Sequence, residues 1–235
     1  MDSQTRHALK QDKFVQTTQS GVDWVGSHRT SVIRISIAVV AVLALIISGI
    51  VYYTQRSSAA ENALGMALDV YTAPLAQPGA PVQKGTYTNA ADRAKEANRE
   101  FVAISKDYGW LGSGAKAHYF AGITYQDLGQ NGPAETELKS ASDSFDGNLS
   151  SLAKFSLAGL YHRTNRDAQA IDLYNGLIAK PTNAVPAYTS QLALADLYAS
   201  SGKLDQAKAL WAKVKDADKT GSAGSIAAEK LTPKK

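Results

Sequence analysis

The chain has 235 residues, a formal net charge of +4 and no cysteine. Without thiols it has no disulfides, cysteine metal sites, redox motifs or cysteine nucleophiles, so its folded part must be held by packing alone. Residues 1–34 carry five basic and three acidic side chains and residues 56–235 carry twenty and eighteen, so neither part is the basic body that nucleic-acid binding would need.

Residues 1–34 read as a cytoplasmic leader. Phe14, Gly21, Trp24 and Val25 have loosely helical spacing beside Lys10 and Lys13. That pattern suits a short amphipathic helix on a membrane face, or a solvated tail with Trp24 marking the interface. From Ile35 to Gln55 there is no Asp, Glu, Lys or Arg. At about 1.5 Å per residue such a helix reaches roughly 30 Å, the thickness of a bilayer's hydrocarbon core. It is apolar on every face, unlike the striped helix of a soluble domain. The sequence therefore predicts a single transmembrane helix over residues 35–55, with Tyr52 and Tyr53 at an interface. A cleaved signal is the competing reading, since Ser57 to Ala60 are small. The run is too long and begins too late for that, which favours an uncleaved anchor. Arg29 and Arg34 outweigh Arg56 near the run, placing the amino terminus in the cytoplasm and residues 56–235 outside it, which is the periplasm if the source is a diderm bacterium.

Residues 56–75 are expected to continue the helix or start another, with Ala63, Leu64, Leu68, Val70 and Tyr71 on its apolar side and Pro74 ending it. A Pro/Gly loop follows over residues 76–88. From residue 89 the texture is helical and alanine-rich, without the alternation of a sheet. A repeat emerges. Ala97, Ala134, Ala170 and Ala207 stand at intervals of 37, 36 and 37, each followed four positions later by a large residue: Phe101, Leu138, Tyr174 and Trp211. Tyr125, Tyr161 and Tyr198 precede the last three alanines by nine. Each tyrosine follows a small residue (Gly122, Ala158, Ala195) by three and precedes a turn residue (Gly129, Asn165, Gly202) by four. The small residues allow close helix approach, the large ones fill the wedge between pairs, and the Gly or Asn ends the first helix in a left-handed conformation. One such pair cannot bury its own apolar face, so the pairs are expected to stack. Residues 222–231 read as a capping helix, with Ile226, Ala227 and Leu231 turned to the stack.

This spacing resembles the tetratricopeptide repeat over residues 115–217, with residues 60–110 as a degenerate first unit. The family's repeat is shorter, which implies extra residues at the junctions. The early bulky position is His118, Lys154 and Gln191 here, and Pro181 alone echoes the closing proline. The layout, with the Lys10–Phe14 and Trp24 leader, the apolar run, the Ala-rich pairs and the closing AAEKL, is similar to the YfgM family. That resemblance implies an all-α protein: one membrane anchor with an extracytoplasmic tetratricopeptide-like solenoid, serving as an ancillary subunit of the SecYEG translocon linked to periplasmic chaperones.

No catalytic constellation stands out. His7, His28, His118 and His162 form no metal-ligand spacing. Gly109 to Gly114 lacks the Lys-Ser/Thr of a phosphate loop and reads as a repeat junction. Glu135/Glu137 and Asp143/Asp146 read as solvated faces. No cofactor, metal, nucleic acid or small-molecule substrate is expected. By repeat register, the resemblance places on a concave face Lys116, Tyr119, Ile123, Gln126 and Asp127; Leu152, Phe155, Gly159, His162 and Arg163; and Thr189, Leu192, Asp196, Ala199 and Ser200. Lys116, Tyr119, Gln126, Phe155, His162 and Arg163 are the candidate protein-binding residues, unless Tyr119 and Phe155 are buried between helices. The leading expectation is a membrane-tethered module that binds protein, translocon or chaperone clients. The alternative is a scaffold of another envelope complex.

Overall fold

The computed structural model of the chain describes residues 24–77 and 85–232. Among these residues the structure is all helical, with a single isolated parallel bridge, Leu75 to Tyr87, and no strand. The leader residues Lys10, Lys13 and Phe14 lie outside the described residues, as does the middle of the Pro/Gly loop. The chain divides into two units, residues 1–55 and 56–235.

Helix α1 spans Arg29–Thr72 and stops two residues before Pro74. Its apolar part is long and apolar enough to cross a membrane, and none of it is buried within the protein. Ile37 and Leu45 are 65 % and 73 % exposed, an arrangement that water would penalise along the whole run. In the second unit, the same helix buries Ala60, Leu64 and Ala67, a stripe at helical spacing. The ends of the loop that follows are stapled: the Ala76 amide donates to Tyr87 O at 2.8 Å and the Tyr87 amide to Pro74 O at 3.1 Å.

Helix α2 (Ala90–Tyr108) starts at Asn89, whose side chain accepts from the Asp92 amide at 2.8 Å, satisfying one of the orphan donors of a helix start. There follow α3 (Gly112–Asp127), α4 (Asn131–Ser142), α5 (Gly147–Arg163), α6 (Asp167–Ala179), α7 (Ala187–Ser200), α8 (Leu204–Ala217) and α9 (Ser222–Leu231). Asp146 caps α5 by accepting from the amides of Asn148 and Leu149. Each substantial packing contact among the described residues joins helices one or two places apart in the chain.

The repeated residues occupy the positions their chemistry demands. Ala97, Ala134, Ala170 and Ala207 are fully buried, and Phe101, Leu138, Tyr174 and Trp211 are buried beside them. A Cβ added at Gly122 would stand 2.6 Å from Leu138 Cγ, so α3 and α4 approach only because that side chain is absent. The three turns within the pairs share one hydrogen-bond pattern. Gly129, Asn165 and Gly202 have φ of 70°, 59° and 77°. The next amide, of Gln130, Arg166 or Lys203, donates back to the carbonyl of Tyr125, Tyr161 or Tyr198 at 2.7–2.8 Å. This is the Schellman closure, in which a left-handed residue lets the chain satisfy the last helical carbonyls. The interval from tyrosine to turn residue is therefore set by which carbonyl the closure must reach.

Among the described residues three clusters form the core: one around Phe101, with Leu64, Ala97 and Ala121; one around Leu138, Leu160, Tyr174 and Leu197; and one around Trp211 and Val214. Two expectations need correction. Within α9, Ala223, Gly224 and Ala227 face inward and Leu231 is partly buried, but Ile226 is 45 % exposed. Small side chains let α9 lie close to α8, and the bulkier Ile226 falls outside that stripe. Glu135 and Glu137 are not solvated faces, because both are half-buried and paired.

Candidate functional site

The helices that open each pair, α3, α5 and α7, carry every position assigned by repeat register, and none of those positions is buried. Their carboxyl-terminal turns are joined side to side by polar contacts. Tyr71 on α1 donates to Asp127 at 3.3 Å, and Arg163 on α5 donates to Gln126 on α3. His162 Nε2 lies 3.1 Å from Ser200 Oγ on α7, and Lys230 on α9 pairs with Asp196 at 2.9 Å. Burial, with Asp127 beside it, raises the Tyr71 hydroxyl above its usual range. These contacts bring Gln126, His162 and Arg163 into one row across the ends of α3, α5 and α7.

Tyr119 and Phe155 lie earlier on the same helices. Both are half-buried and packed on the central cluster. Tyr119 meets Phe120 edge-on with ring centroids 5.3 Å apart, and Phe155 meets Tyr174 edge-on at 5.6 Å. Each ring thus has one side in the core and another toward solvent, between the two expectations for them. Lys116 is exposed near the start of α3, ten residues before Gln126. Large rings held rigid by packing lose little entropy when a partner covers them.

The second contact of His162 was not legible from repeat register. Its Nδ1 lies 2.7 Å from Asp167 Oδ1 across the Asn165 turn, and Ser201 donates to the other oxygen of Asp167 at 2.7 Å. The Asp167 carboxyl is held below the usual carboxylate range, first by the His162 hydrogen bond and then by Ser201. Ser200, His162 and Asp167 stand in the order of a nucleophile, base and orienting acid. Acyl transfer also needs amides pointed at a developing oxyanion. The amides of Ser201, Gly202 and Lys203 are instead all spent on Leu197, Ala199 and Tyr198 carbonyls. The trio therefore reads as a tie between α5, α6 and α7. The signal that could have found it is the left-handed Asn165, which folds Asp167 back onto the last turn of α5.

A second tie centres on Glu135 of α4. It takes Arg166 at 2.7 Å, Lys139 at 2.7 Å and the Tyr161 hydroxyl at 3.2 Å. Its carboxyl is lowered to about 2, chiefly by the hydrogen bond from Arg166 and next by that from Lys139. His118 and Glu137, 2.6 Å apart, join α3 to α4. No group of three or more His, Asp or Glu able to hold a metal occurs among the described residues. No protein-family model and no curated protein matches this chain.

Proposed function

We propose that the chain is a membrane-anchored protein-interaction module, an ancillary translocon subunit whose tetratricopeptide-like solenoid binds emerging or chaperone-bound polypeptide outside the cytoplasm. The observation that carries this reading is the threefold repetition of one turn and one buried alanine, with an unburied row of side chains on the opening helices. Identical closures with neighbour-only packing are what a stack of helical pairs requires. In such stacks the opening helices line the inner surface, and Tyr119, Phe155 and Arg163 belong to the residue types that dominate interface energetics. The single apolar run would hold this surface beside the membrane, with its amino terminus in the cytoplasm.

The test is a photo-crosslinker at Tyr119 in intact cells. The expected products are translocon subunits and a range of polypeptide clients, and their yield should fall severalfold when Phe155 and Arg163 are both changed to Ala. One fixed envelope partner would support the scaffold reading instead. Undiminished yield in the double variant would remove this face from the proposal.

A further inference from the structure

Cations recur at one point of the repeat. The residue after each left-handed turn, five places beyond the repeat tyrosine, is Gln130, Arg166 or Lys203. The Arg166 guanidinium carbon lies 4.3 Å from the Tyr161 ring centroid, and Lys203 Nζ lies 5.7 Å from that of Tyr198. Arg166 is also held by Glu135, one residue after the repeat alanine Ala134. In the earliest of the three turns the cation is missing. Gln130 stands where Arg166 and Lys203 do, and Asn98, one residue after Ala97, stands where Glu135 does. Val102 takes the place of Lys139 by the same register. These positions do not close up on one another. Asn98, Val102, Tyr125 and Gln130 all line one cavity of about 720 Å3 between α2 and the turn after α3.

We propose that this cavity receives an arginine side chain of a partner polypeptide, supplied from outside where the two later turns supply a cation of their own. The walls suit that group. Tyr125 is half-buried, packed on the central cluster and bordering the cavity. Tyr87 lines the same cavity, fixed by its backbone bonds with Pro74 and Ala76. A guanidinium is planar and weakly hydrated, so it stacks on such rings at less desolvation cost than an ammonium. Asn98 is 8 % exposed, and its amide hydrogens are committed to Ala121 O at 3.2 Å and Thr124 Oγ1 at 2.9 Å. What it can offer an occupant is its carbonyl oxygen, an acceptor matched to a group that only donates. Asp92 and Glu96 line the cavity, and so do Lys95 and Arg99, which leaves the lining without net charge. Arg99 is drawn to Glu96 at 2.6 Å and Glu100 at 3.0 Å. Selection for arginine therefore lies in the ring face and the acceptor, not in a broad field. The site shares with the preceding reading a polypeptide partner, but it does not use the row of Gln126, His162 and Arg163.

The experiment uses the full-length chain in detergent micelles with carbon-13 in its tyrosine rings, the Tyr125 signal being assigned with Y125F. Two blocked tripeptides are titrated in, Gly-Arg-Gly and Gly-citrulline-Gly, the second neutral and nearly the same shape. The arginine peptide should move the Tyr125 signal along a saturating curve, and the citrulline peptide should need a severalfold higher concentration for the same shift. Q130R places a guanidinium where Arg166 stands in the next turn, so it should fill the cavity and abolish the response, with circular dichroism showing that the fold is kept. Equal response to the citrulline peptide overturns the proposal in favour of a neutral ligand. An undiminished response in Q130R, or a Tyr125 signal that the arginine peptide leaves in place, overturns it outright. The readout is local to Tyr125, so loss of the crosslinks from Tyr119 would remove the row on the opening helices without touching this site.

Discussion

Asn165 is the one non-glycine residue with positive φ among the described residues, at 59°. Asparagine tolerates this region better than other side chains, and a β-branched residue there is strained. Asn165→Val should therefore lower stability by about 1–2 kcal/mol, whereas Asn165→Gly should be nearly neutral, as read by urea denaturation of the full chain in detergent. The need for a turn residue at 165 was legible because Tyr161 stands four before it, as Tyr125 and Tyr198 stand before Gly129 and Gly202. The ties made by the same turn were not. His162 and Ser200 are 38 positions apart, and polar side chains follow no period that announces a lateral partner. Tyr119 and Phe155 were placed on the correct helices by register, but their shared allegiance to core and solvent depends on rotation that spacing alone does not fix.

Among the helices, α4 is held to the following pair through Glu135. The fold lowers this carboxyl to about 2, below its unfolded value near 4.3, so the folded state favours the ionised form. The resulting stabilisation is complete above the unfolded value and is lost as pH falls from about 4.5 towards 2. Comparing Glu135→Gln with the parent by thermal melts should show a constant deficit of about 1 kcal/mol from pH 7 to 5, small because water screens the cluster. That deficit should shrink through the acid window, and a deficit unchanged at pH 2 would show that the carboxylate charge is not what matters. From sequence, Glu135 reads as part of a solvated carboxylate face. It failed because Arg166 reaches back from the next turn, a contact absent from local sequence. Helix α9 taught a similar lesson: with alanines on one stripe, the bulkiest apolar residue need not be the buried one.

At the scale of the molecule, three separate clusters stand in place of a single core among the described residues. Damage to one should stay local, because each cluster shares contacts mainly with its neighbour. Ala227→Asp places a carboxylate at a fully buried site in the last cluster. Hydrogen exchange should then accelerate across α8 and α9 while amides of α2 and α3 keep their protection. Uniform acceleration would mean that the helical body unfolds as one cooperative unit. The long apolar helix could be read from sequence because it is an unbroken uncharged run, and the buried alanines because they recur at a fixed period. The meeting of the loops after α2 and α4 could not, because their shared cavity, lined by Gly109 and Asp143 among others, exists only once the helices have packed.

The matching turn closures have a bearing on how such a chain can change its length. Gln130 and Arg166 each leave a tyrosine carbonyl on one side and accept the first bond of a following helix, from Ala134 and Ala170, on the other. A tandem copy of the stretch from Gln130 to Asn165 would meet its original at a joint the chain already knows how to make. Growth by gene duplication then needs no new turn, and the run of helical pairs can be extended like a ruler cut at its own gradations.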